Sequence, residues 1–329
     1  MNTVFFSTKE YDREFFLKSP DKNDHELIFL DVPLNKQTAV LAEGNEVACI
    51  FVNDTADAAV LEVLVKKGIK LIALRCAGFN NIDLEAAKKL GLKVVRVPSY
   101  SPYSVAEHTL ALILALNRKT HRAYNRVREG NFSLSGLMGF DLHGKTVGLI
   151  GLGKIGLITA KILQGFGCHI LGYDLQKKEG EELSGIKLTD LKTLYAKSDI
   201  ISLHCPLTRE TFHLINKDSI SLMKKGVMLI NTSRGALIDT KAVIAGLKEG
   251  QIQFLGLDVY EEEEHLFFED LSTKIIQDDV FMRLLSFNNV LITGHQAFLT
   301  SNALTAIADT TLQNIQAFAD NEPLKNEVK

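Results

Sequence analysis

A glycine-rich segment in the middle of the chain constrains the fold more than any other part of the sequence. The apolar strand predicted over Thr146–Ile150 runs directly into the pattern Gly151-x-Gly153-x-x-Gly156. A helical stretch follows, and then a second predicted strand that ends at Asp174. A GxGxxG pattern alone is weak evidence, but a preceding strand, a following helix and an acidic residue about 20 positions further on indicate a dinucleotide-binding unit. The segment therefore predicts a Rossmann-type domain.

The residue types in this segment also predict which dinucleotide binds. Gly151 permits the tight turn, Gly153 lets the backbone approach a pyrophosphate, and Gly156 lets the helix pack closely on the strand. The pyrophosphate is expected at the N-terminus of the helix, where free N–H groups and the helix dipole favour an anion. Asp174 would accept hydrogen bonds from the adenosine ribose and repel a 2′-phosphate, so the predicted cofactor is NAD and not NADP.

Short apolar runs alternate with stretches of helical spacing along nearly the whole chain. Such alternation is typical of parallel sheets with helices on both faces. We therefore predict an α/β fold with two doubly wound parallel-sheet domains, one Rossmann-like and one flavodoxin-like. The strands are predicted over Val4–Phe6, Leu27–Phe29, Val47–Phe51, Lys70–Leu74, Val94–Val97, Thr146–Ile150, His169–Tyr173, Asp199–His204, Val227–Asn231, Phe254–Val259 and Val290–Thr293.

Two features of the alternation predict where the domains meet. The segment Pro98–Pro102 begins and ends with a proline, which is typical of a loop. The last predicted helix, Asn302–Ala319, has no sheet of its own and is expected to pack on the first domain. We therefore predict a discontinuous substrate (catalytic) domain of residues 1–100 plus 299–329 and an NAD-binding Rossmann domain of residues 101–298.

The helix predicted after this loop, Ser104–Arg118, bears on the assembly of the protein. It begins with a serine and has Glu107 three residues on, which is the pattern of a capping box. Its apolar residues cover much of its circumference, more than packing on a single domain needs. We therefore expect it to lie in a subunit interface of a homo-oligomer, either a dimer or a tetramer.

Composition and charge exclude several other classes of protein. The chain has 37 Lys and Arg against 40 Asp and Glu, so we expect neither a nucleic-acid partner nor a membrane surface. Its densest apolar run, Leu110–Leu116, is far shorter than the roughly 20 residues of a membrane helix, and the N-terminal residues are too charged for a signal peptide. The four scattered cysteines favour a reducing cytoplasm and argue against a metal site or a disulfide framework.

Polar and charged residues collect where the predicted strands of the second half end. Ligands bind at the carboxyl ends of the strands in an open parallel sheet. Each residue alone is compatible with ordinary turn chemistry, but together they predict the rim of one crevice. They are Asp174, Cys205, Pro206, Thr232, Ser233, Arg234, Asp258, Gly294 and His295.

These strand ends, and parts of the first half, resemble the motifs of the D-isomer-specific 2-hydroxy-acid dehydrogenase family. The resemblance covers essentially the whole chain, and within the family it is nearest the bacterial fermentative D-lactate dehydrogenases. The matching motifs are RCAGFNNID (75–83), VPSYSP (97–102), NRKTHRAYNRVREGNFSL (117–134), GLGKIG (151–156) with Asp174, NTSRGALID (231–239), LDVYEEE (257–263) and TGHQAFLT (293–300).

The resemblance implies a catalytic triad of Arg234, Glu263 and His295. Reducing a 2-keto acid needs a proton on the carbonyl oxygen, and a protonated imidazole is a suitable acid near neutral pH. A carboxylate behind the imidazole stabilises its protonated form, and an arginine anchors the substrate carboxylate and polarises the carbonyl. Alignment of the acidic run selects Glu263, with Glu262 and Glu264 as the alternatives one residue away.

The resemblance also implies which residues contact the substrate and the cofactor. The backbone N–H groups of Ala77 and Gly78 would bind the substrate carboxylate, as would Arg234. Tyr100 and Phe298 would crowd the methyl side of the substrate and favour a small one. The cofactor contacts beyond the three motif glycines and Asp174 are implied to be Lys154, Ile155, Cys205, Pro206, Thr211, Thr232, Ser233 and Asp258.

The function that the resemblance implies is NAD-dependent reduction of pyruvate to D-lactate. One alternative is the same reaction on a larger 2-keto acid, with a branched or an aromatic side chain. Another is an NAD(H)-sensing binding protein of transcriptional regulation, which the absence of a basic surface and of long disordered arms disfavours. Turnover of NADH with pyruvate distinguishes an enzyme from such a sensor.

Overall fold

A computed structural model describes residues 1–176 and 182–328, apart from the side chains of Glu182 and His265. The strands are β1 (Asn2–Phe5), β2 (Glu26–Phe29), β3 (Val47–Ile50), β4 (Leu71–Leu74), β5 (Lys93–Arg96), β6 (Thr146–Ile150), β7 (His169–Tyr173), β8 (Glu182–Leu183), β9 (Ile186–Leu188), β10 (Ile200–Leu203), β11 (Val227–Asn231), β12 (Ile252–Leu257) and β13 (Val290–Ile292). The α-helices are α1 (Glu10–Lys18), α2 (Ala58–Lys66), α3 (Leu84–Lys89), α4 (Pro102–Arg118), α5 (Thr120–Arg128), α6 (Lys154–Gly165), α7 (Leu191–Lys197), α8 (Lys217–Leu222), α9 (Thr240–Lys248), α10 (Asp279–Leu285) and α11 (Ser301–Ala319).

The chain forms two compact units. Unit 1 comprises Met1–Ser101 and Leu299–Lys329, and unit 2 comprises Pro102–Phe298. Both contain parallel sheets flanked by helices, so the predicted α/β class with two doubly wound domains is confirmed. No described helix combines the length and the apolar character that crossing a membrane demands.

Unit 1 is built on a five-stranded parallel sheet in the order β2-β1-β3-β4-β5, which is the flavodoxin-like order. Strands β3 and β4 are buried along their whole length, as central strands covered on both faces must be. Helix α11 begins at the Thr300 cap, whose side chain accepts a hydrogen bond from the N–H of Ala303. It packs against α1, β4 and β5 and so completes the unit from the far end of the chain.

Unit 2 is built on an eight-stranded sheet in the order β13-β12-β11-β10-β6-β7-β9-β8. All neighbouring strands are parallel except β8 and β9. Successive residues of a strand point to opposite faces, so Ile200 joins one core cluster and Ile201 joins the other. The strand order reverses direction between β6 and β10, and this switch point is where ligands bind in such sheets.

Strands β10, β12 and β13 differ from their predicted bounds by one or two residues at an end, and two larger differences concern whole elements of unit 2. Strands β8 and β9 were not predicted, because two and three residues are too few to show a period in the sequence. Helix α4 begins at Pro102, so the Ser104 capping box is wrong. Proline suits the first turn of a helix because its fixed φ is already helical, and Ser104 lies buried inside α4.

Candidate active site

The glycine-rich turn joins β6 to α6 at the switch point of the unit 2 sheet. Gly151 has a φ of +95°, and a Cβ there would lie 2.6 Å from the backbone nitrogen of Cys205. A Cβ at Gly156 would overlap the carbonyl oxygen of Gly151. At Gly153, which caps α6, a Cβ would meet no atom within 4 Å. The turn therefore packs tightly on its protein side and is open at the N-terminus of α6, as the binding of a pyrophosphate requires.

A cavity of about 390 Å³ lies beside this turn. Six of the predicted cofactor residues line it: Gly151, Gly153, Asp174, Cys205, Pro206 and Thr211. The sequence analysis did not single out the other lining residues, which are Ile150, Tyr173, Leu175, Gln176, Leu191, His204, Thr208, Glu210 and Leu214. Most of them lie next to a predicted cofactor residue or at the end of a predicted strand. Their position in the sequence could therefore have indicated them.

Asp174 holds a fixed negative charge at the rim of this cavity. One carboxylate oxygen accepts a hydrogen bond from the N–H of Leu152 at 2.7 Å, and the other accepts one from the N–H of Gln176 at 2.9 Å. These two bonds tie the end of β7 to the glycine-rich turn. Because each carboxylate oxygen has a second lone pair, Asp174 can still accept hydrogen bonds from a ribose.

The other predicted cofactor residues are not among those that line the cavity in the described part of the chain. Lys154, Ile155 and Gly156 form the first turn of α6. The Thr232 hydroxyl lies 2.9 Å from that of Thr109, and the Ser233 hydroxyl donates to the carbonyl of Cys205 at 2.7 Å. The side chain of Thr232 therefore joins the end of β11 to helix α4, and the side chain of Ser233 joins it to the segment that follows β10.

His204 is a cavity residue that the sequence analysis missed. It follows β10 directly, and its Nε2 lies 3.0 Å from the hydroxyl of Ser202. Burial lowers the pKa of His204 to about 4. The imidazole is therefore neutral at pH 7 and adds no positive charge to the cavity wall.

We expect His204 to make the folded protein less stable in mild acid. An unfolded histidine binds a proton near pH 6.5, whereas folded His204 resists protonation down to about pH 4. The unfolded state therefore binds more protons between these values, and stability falls as the pH drops through that window. Thermal unfolding at pH 7 and pH 5 should show a smaller loss for His204→Gln than for the wild type; equal losses would contradict this.

His295 and Glu263 form a hydrogen-bonded pair. Nδ1 of His295 lies 2.7 Å from Oε1 of Glu263, and both side chains are largely buried. Oε2 of Glu263 accepts a hydrogen bond from the N–H of Tyr260 at 2.8 Å, which orients the carboxylate. Since Nδ1–H donates to this carboxylate, Nε2 is the nitrogen left for a reacting group.

Alternate residues of the acidic run have different partners. Glu261 contacts Nε2 of His213 and accepts a hydrogen bond from the Thr240 hydroxyl at 2.9 Å. Glu263 contacts His295, while Glu262 and Glu264 are exposed. Of the alternatives that the sequence left open, the structure therefore brings Glu263 to His295.

Asp258 shapes the loop that carries His295. It is fully buried, and its carboxylate accepts hydrogen bonds from the N–H groups of Gln296 (2.9 Å) and Ala297 (2.8 Å) and from the Thr293 hydroxyl. Its backbone carbonyl accepts the N–H of His295 at 2.7 Å. These bonds hold His295 at a φ of +53°, a conformation that costs free energy for a residue with a Cβ.

Arg234 lies on the loop after β11, beside the acidic run. Its guanidinium donates to the carbonyl of Ser233 at 2.7 Å, and its own carbonyl accepts from the side chain of Asn231 at 2.8 Å. A Cβ at Gly235 would overlap the backbone of Tyr260. This close approach brings the Arg234 loop against the segment that precedes Glu263.

The predicted substrate loop lies in unit 1, after β4. The Ala77 carbonyl accepts a hydrogen bond from Arg96 at 2.6 Å, and the Arg96 guanidinium stacks on the ring of Phe79. Within the described residues, the N–H groups of Ala77 and Gly78 have no acceptor. The predicted contacts Tyr100 and Phe298 are half-buried in unit 1 and buried in unit 2, respectively.

Comparison with known proteins identifies the family. Residues 110–297 match the family model described as "D-isomer specific 2-hydroxyacid dehydrogenase, NAD binding domain". The chain is 55% identical to the 2-hydroxyacid dehydrogenase homolog of Haemophilus influenzae, covering 100% of this chain and 99% of that one. It is 53% identical to the D-lactate dehydrogenase of Escherichia coli, covering all of both chains.

Solved structures agree with these matches. The apo-structure of D-lactate dehydrogenase from Escherichia coli superposes with a TM-score of 0.90 at 50% identity over 100% of both chains. The pyruvate reductase of Chlamydomonas reinhardtii gives 0.93 at 50% identity, over 99% of this chain and 98% of that one. D-lactate dehydrogenase from Aquifex aeolicus, solved with NAD and lactic acid, gives 0.87 at 37% identity over 99% of each chain.

Family model, relatives and structures all cover the Rossmann-type unit with its glycine-rich turn, its acidic strand end and its paired His295. The chain is thus an NAD-binding oxidoreductase that belongs to the D-isomer-specific 2-hydroxyacid dehydrogenase family.

Proposed function

We propose that this protein is an NAD-dependent D-lactate dehydrogenase. The reaction is pyruvate + NADH + H⁺ → D-lactate + NAD⁺. The observation that carries the proposal is the 2.7 Å contact between His295 and Glu263, because it supplies the proton donor that the reduction needs. The full-length similarity to the D-lactate dehydrogenase of Escherichia coli supports pyruvate as the substrate.

The cavity of unit 2 fits the cofactor. The open N-terminus of α6 at Gly153 suits the pyrophosphate, and Asp174 suits the adenosine ribose. We propose that Leu191 and Leu214 provide apolar surface for the adenine, since both line the same cavity. When bound, the reduced nicotinamide supplies the hydrogen and the two electrons that reduce the carbonyl carbon of the substrate.

We propose that three side chains of unit 2 carry the rest of the reaction. His295 protonates the carbonyl oxygen of pyruvate from Nε2 and takes a proton back in the reverse direction. Glu263 stabilises the imidazolium and fixes the ring through Nδ1. Arg234 anchors the substrate carboxylate with its planar guanidinium and polarises the carbonyl.

Four further predicted substrate contacts remain proposals. The N–H groups of Ala77 and Gly78 suit a carboxylate because they have no acceptor within the described residues. The Arg96 hydrogen bond to the Ala77 carbonyl holds this loop in place. Tyr100 and Phe298 are proposed to limit the size of the substrate side chain.

A panel of 2-keto acids tests the function. We expect kcat/KM with NADH to be highest for pyruvate and lower for branched-chain and aromatic 2-keto acids, with D-lactate and not L-lactate as the product. If a larger 2-keto acid gave a higher kcat/KM than pyruvate, that acid and not pyruvate would be the preferred substrate. Binding of NADH without turnover of any 2-keto acid would instead favour an NAD(H)-sensing protein.

We propose that the enzyme works in the cytoplasm as a homo-oligomer. All four cysteines are free and buried, which suits a reducing compartment. The apolar side chains of α4 are mostly buried within unit 2, so its own unit accounts for them. Exposed apolar side chains instead lie on α5 and the loop after it, and we propose that this surface contacts a second copy of the chain. They are Tyr124, Val127, Phe132, Leu134 and Met138.

Light scattering of variants tests this surface. Phe132, Leu134 and Met138 are 73%, 82% and 86% exposed, and an apolar patch of this kind is typical of an interface. Replacing all three with Ser should convert the wild-type dimer or tetramer into a smaller species. Ile275→Ser removes an equally exposed apolar side chain elsewhere and should leave the mass unchanged. A triple variant of wild-type mass would contradict the assignment.

A further inference from the structure

Phe268 adopts a backbone conformation that its residue type disfavours. Its φ is +67°, in the left-handed region. Glycine, asparagine and aspartate enter this region most readily, and a bulky residue there is a genuine outlier. Among the described residues, the other non-glycine residues with positive φ are serine, asparagine, lysine or histidine, so Phe268 alone brings an apolar side chain into it. Such strain persists where the surrounding structure imposes it.

The strained backbone places the ring of Phe268 against the imidazole of His295. The two ring centroids are 5.6 Å apart, and the planes are inclined by 39°. Phe268 also packs on the apolar core of unit 2. Phe268 therefore contacts both that core and the proposed proton donor.

His295 is held from several sides. Its backbone N–H bonds to the carbonyl of Asp258, and its Nδ1 bonds to Glu263. Neither bond covers a face of the imidazole, and a ring with a single hydrogen bond at Nδ1 can still tilt about that bond. The Phe268 ring lies against the imidazole, so it restricts this tilt.

We propose that Phe268 is a positioning residue for His295, and that its strained backbone is retained because it holds the aromatic ring against the imidazole. The proposal rests on the proposed function, since it assumes that His295 transfers the proton. It assigns Phe268 no contact with substrate or cofactor.

Phe287 provides a comparison for Phe268, because it is a phenylalanine of the same apolar core with an ordinary backbone conformation. It packs half-buried on the same apolar core as Phe268. It is not among the residues with positive φ, and no ring contact joins it to His295 within the described residues. Filling this part of the core therefore does not in itself require a left-handed backbone, and Phe287 serves as a matched control.

Substitutions that separate strain from ring loss test the proposal. Phe268→Asn removes the ring but tolerates the left-handed backbone, so its thermal midpoint should stay within about 4 °C of the wild type. Its kcat should fall about tenfold, since a misplaced proton donor loses part of the 10²–10⁴-fold that general acid catalysis contributes. The KM values for NADH and the 2-keto acid should change less than twofold, and Phe268→Tyr, which keeps the ring, should retain most of kcat.

Phe287→Asn should behave in the opposite way, with a lower thermal midpoint and an unchanged kcat. The proposal would be overturned if Phe268→Asn kept the wild-type kcat. It would also be overturned if Phe268→Tyr lost as much kcat as Phe268→Asn. A raised KM for the 2-keto acid at constant kcat would also overturn it, because that result indicates direct contact with the substrate.

Two choices keep this test independent of the proposed function. All variants are assayed with the 2-keto acid that the wild type reduces fastest, so failure of pyruvate as the substrate leaves the ratios measurable. The NMR signals of the His295 imidazole, assigned by comparison with His295→Gln, should shift in Phe268→Leu because the ring current is lost. Unshifted signals would overturn the proposal even if no 2-keto acid were turned over.

Discussion

Replacing His295 with Gln is expected to lower kcat/KM about 10²–10⁴-fold in both directions, the usual contribution of a general acid or base. Glutamine can accept a hydrogen bond from the substrate region but cannot release a proton near neutral pH. Reduction of pyruvate and oxidation of D-lactate should therefore fall together. Binding of NADH, measured by fluorescence titration, should change little, because His295 is not among the residues that line the cofactor cavity.

Glu263→Gln should change the pH dependence more than the maximal rate. Reduction requires protonated His295, and loss of the neighbouring charge makes protonation less favourable. The pH at which reduction falls to half should therefore be lower in the variant than in the wild type, and lactate oxidation should rise at a correspondingly lower pH. The variant should keep much of its reductase activity in acid and lose more in alkali.

The neighbouring glutamates provide the controls for this experiment. Glu262 and Glu264 are exposed, so their Gln variants should leave both pH profiles in place. Glu261 is paired with His213, and Glu261→Gln should likewise leave them unchanged. If Glu263→Gln left both pH profiles unchanged while one of the other Gln variants shifted them, Glu263 would not be the partner of His295.

NADH should be preferred over NADPH by at least about 100-fold in kcat/KM. The Asp174 carboxylate is tied at the cavity rim by two backbone hydrogen bonds. It therefore cannot easily move away from a 2′-phosphate, and close like charges cost several kcal/mol. Asp174→Asn removes the charge at nearly constant side-chain size. It should lower the ratio of kcat/KM for NADH to kcat/KM for NADPH about tenfold or more.

Glu210→Gln is the matched control for cofactor preference. Glu210 also lines the cavity, but it lies after β10 and not at the end of β7. If Asp174 acts locally, Glu210→Gln should leave the ratio of NADH to NADPH unchanged. Equal effects of the two substitutions would point to the overall negative charge of the cavity, and equal use of both cofactors by the wild type would contradict the role of Asp174.

Local sequence patterns were sufficient for the parts of the fold that depend on neighbouring residues. Strands β6, β7 and β11 have the predicted bounds, because each is a continuous apolar run between clear turn signals. The glycine-rich turn was likewise readable, since its steric demands act within a few residues. Strand β8 was not, because two residues carry no period.

Some functional residues could likewise be predicted from sequence motifs, whereas others could be identified only in the folded structure. Motif resemblance proposed Arg234, Glu263 and His295, but four consecutive glutamates are chemically identical in the sequence. The folded loop separates them, since Glu261 turns to His213 and Glu263 turns to His295. His204 was overlooked because its neutral state follows from burial, which no local pattern expresses.

The sequence by itself determined the α/β class, the NAD-binding motif and the family resemblance, because periodicity, glycine spacing and strand-end residues are local properties. Only the tertiary structure decided which glutamate meets His295, how Asp258 holds its loop, and that Phe268 lies against the imidazole. These contacts join residues from different strand ends, loops and helices. Their geometry depends on the packing of the whole unit, so no segment of the sequence contains it.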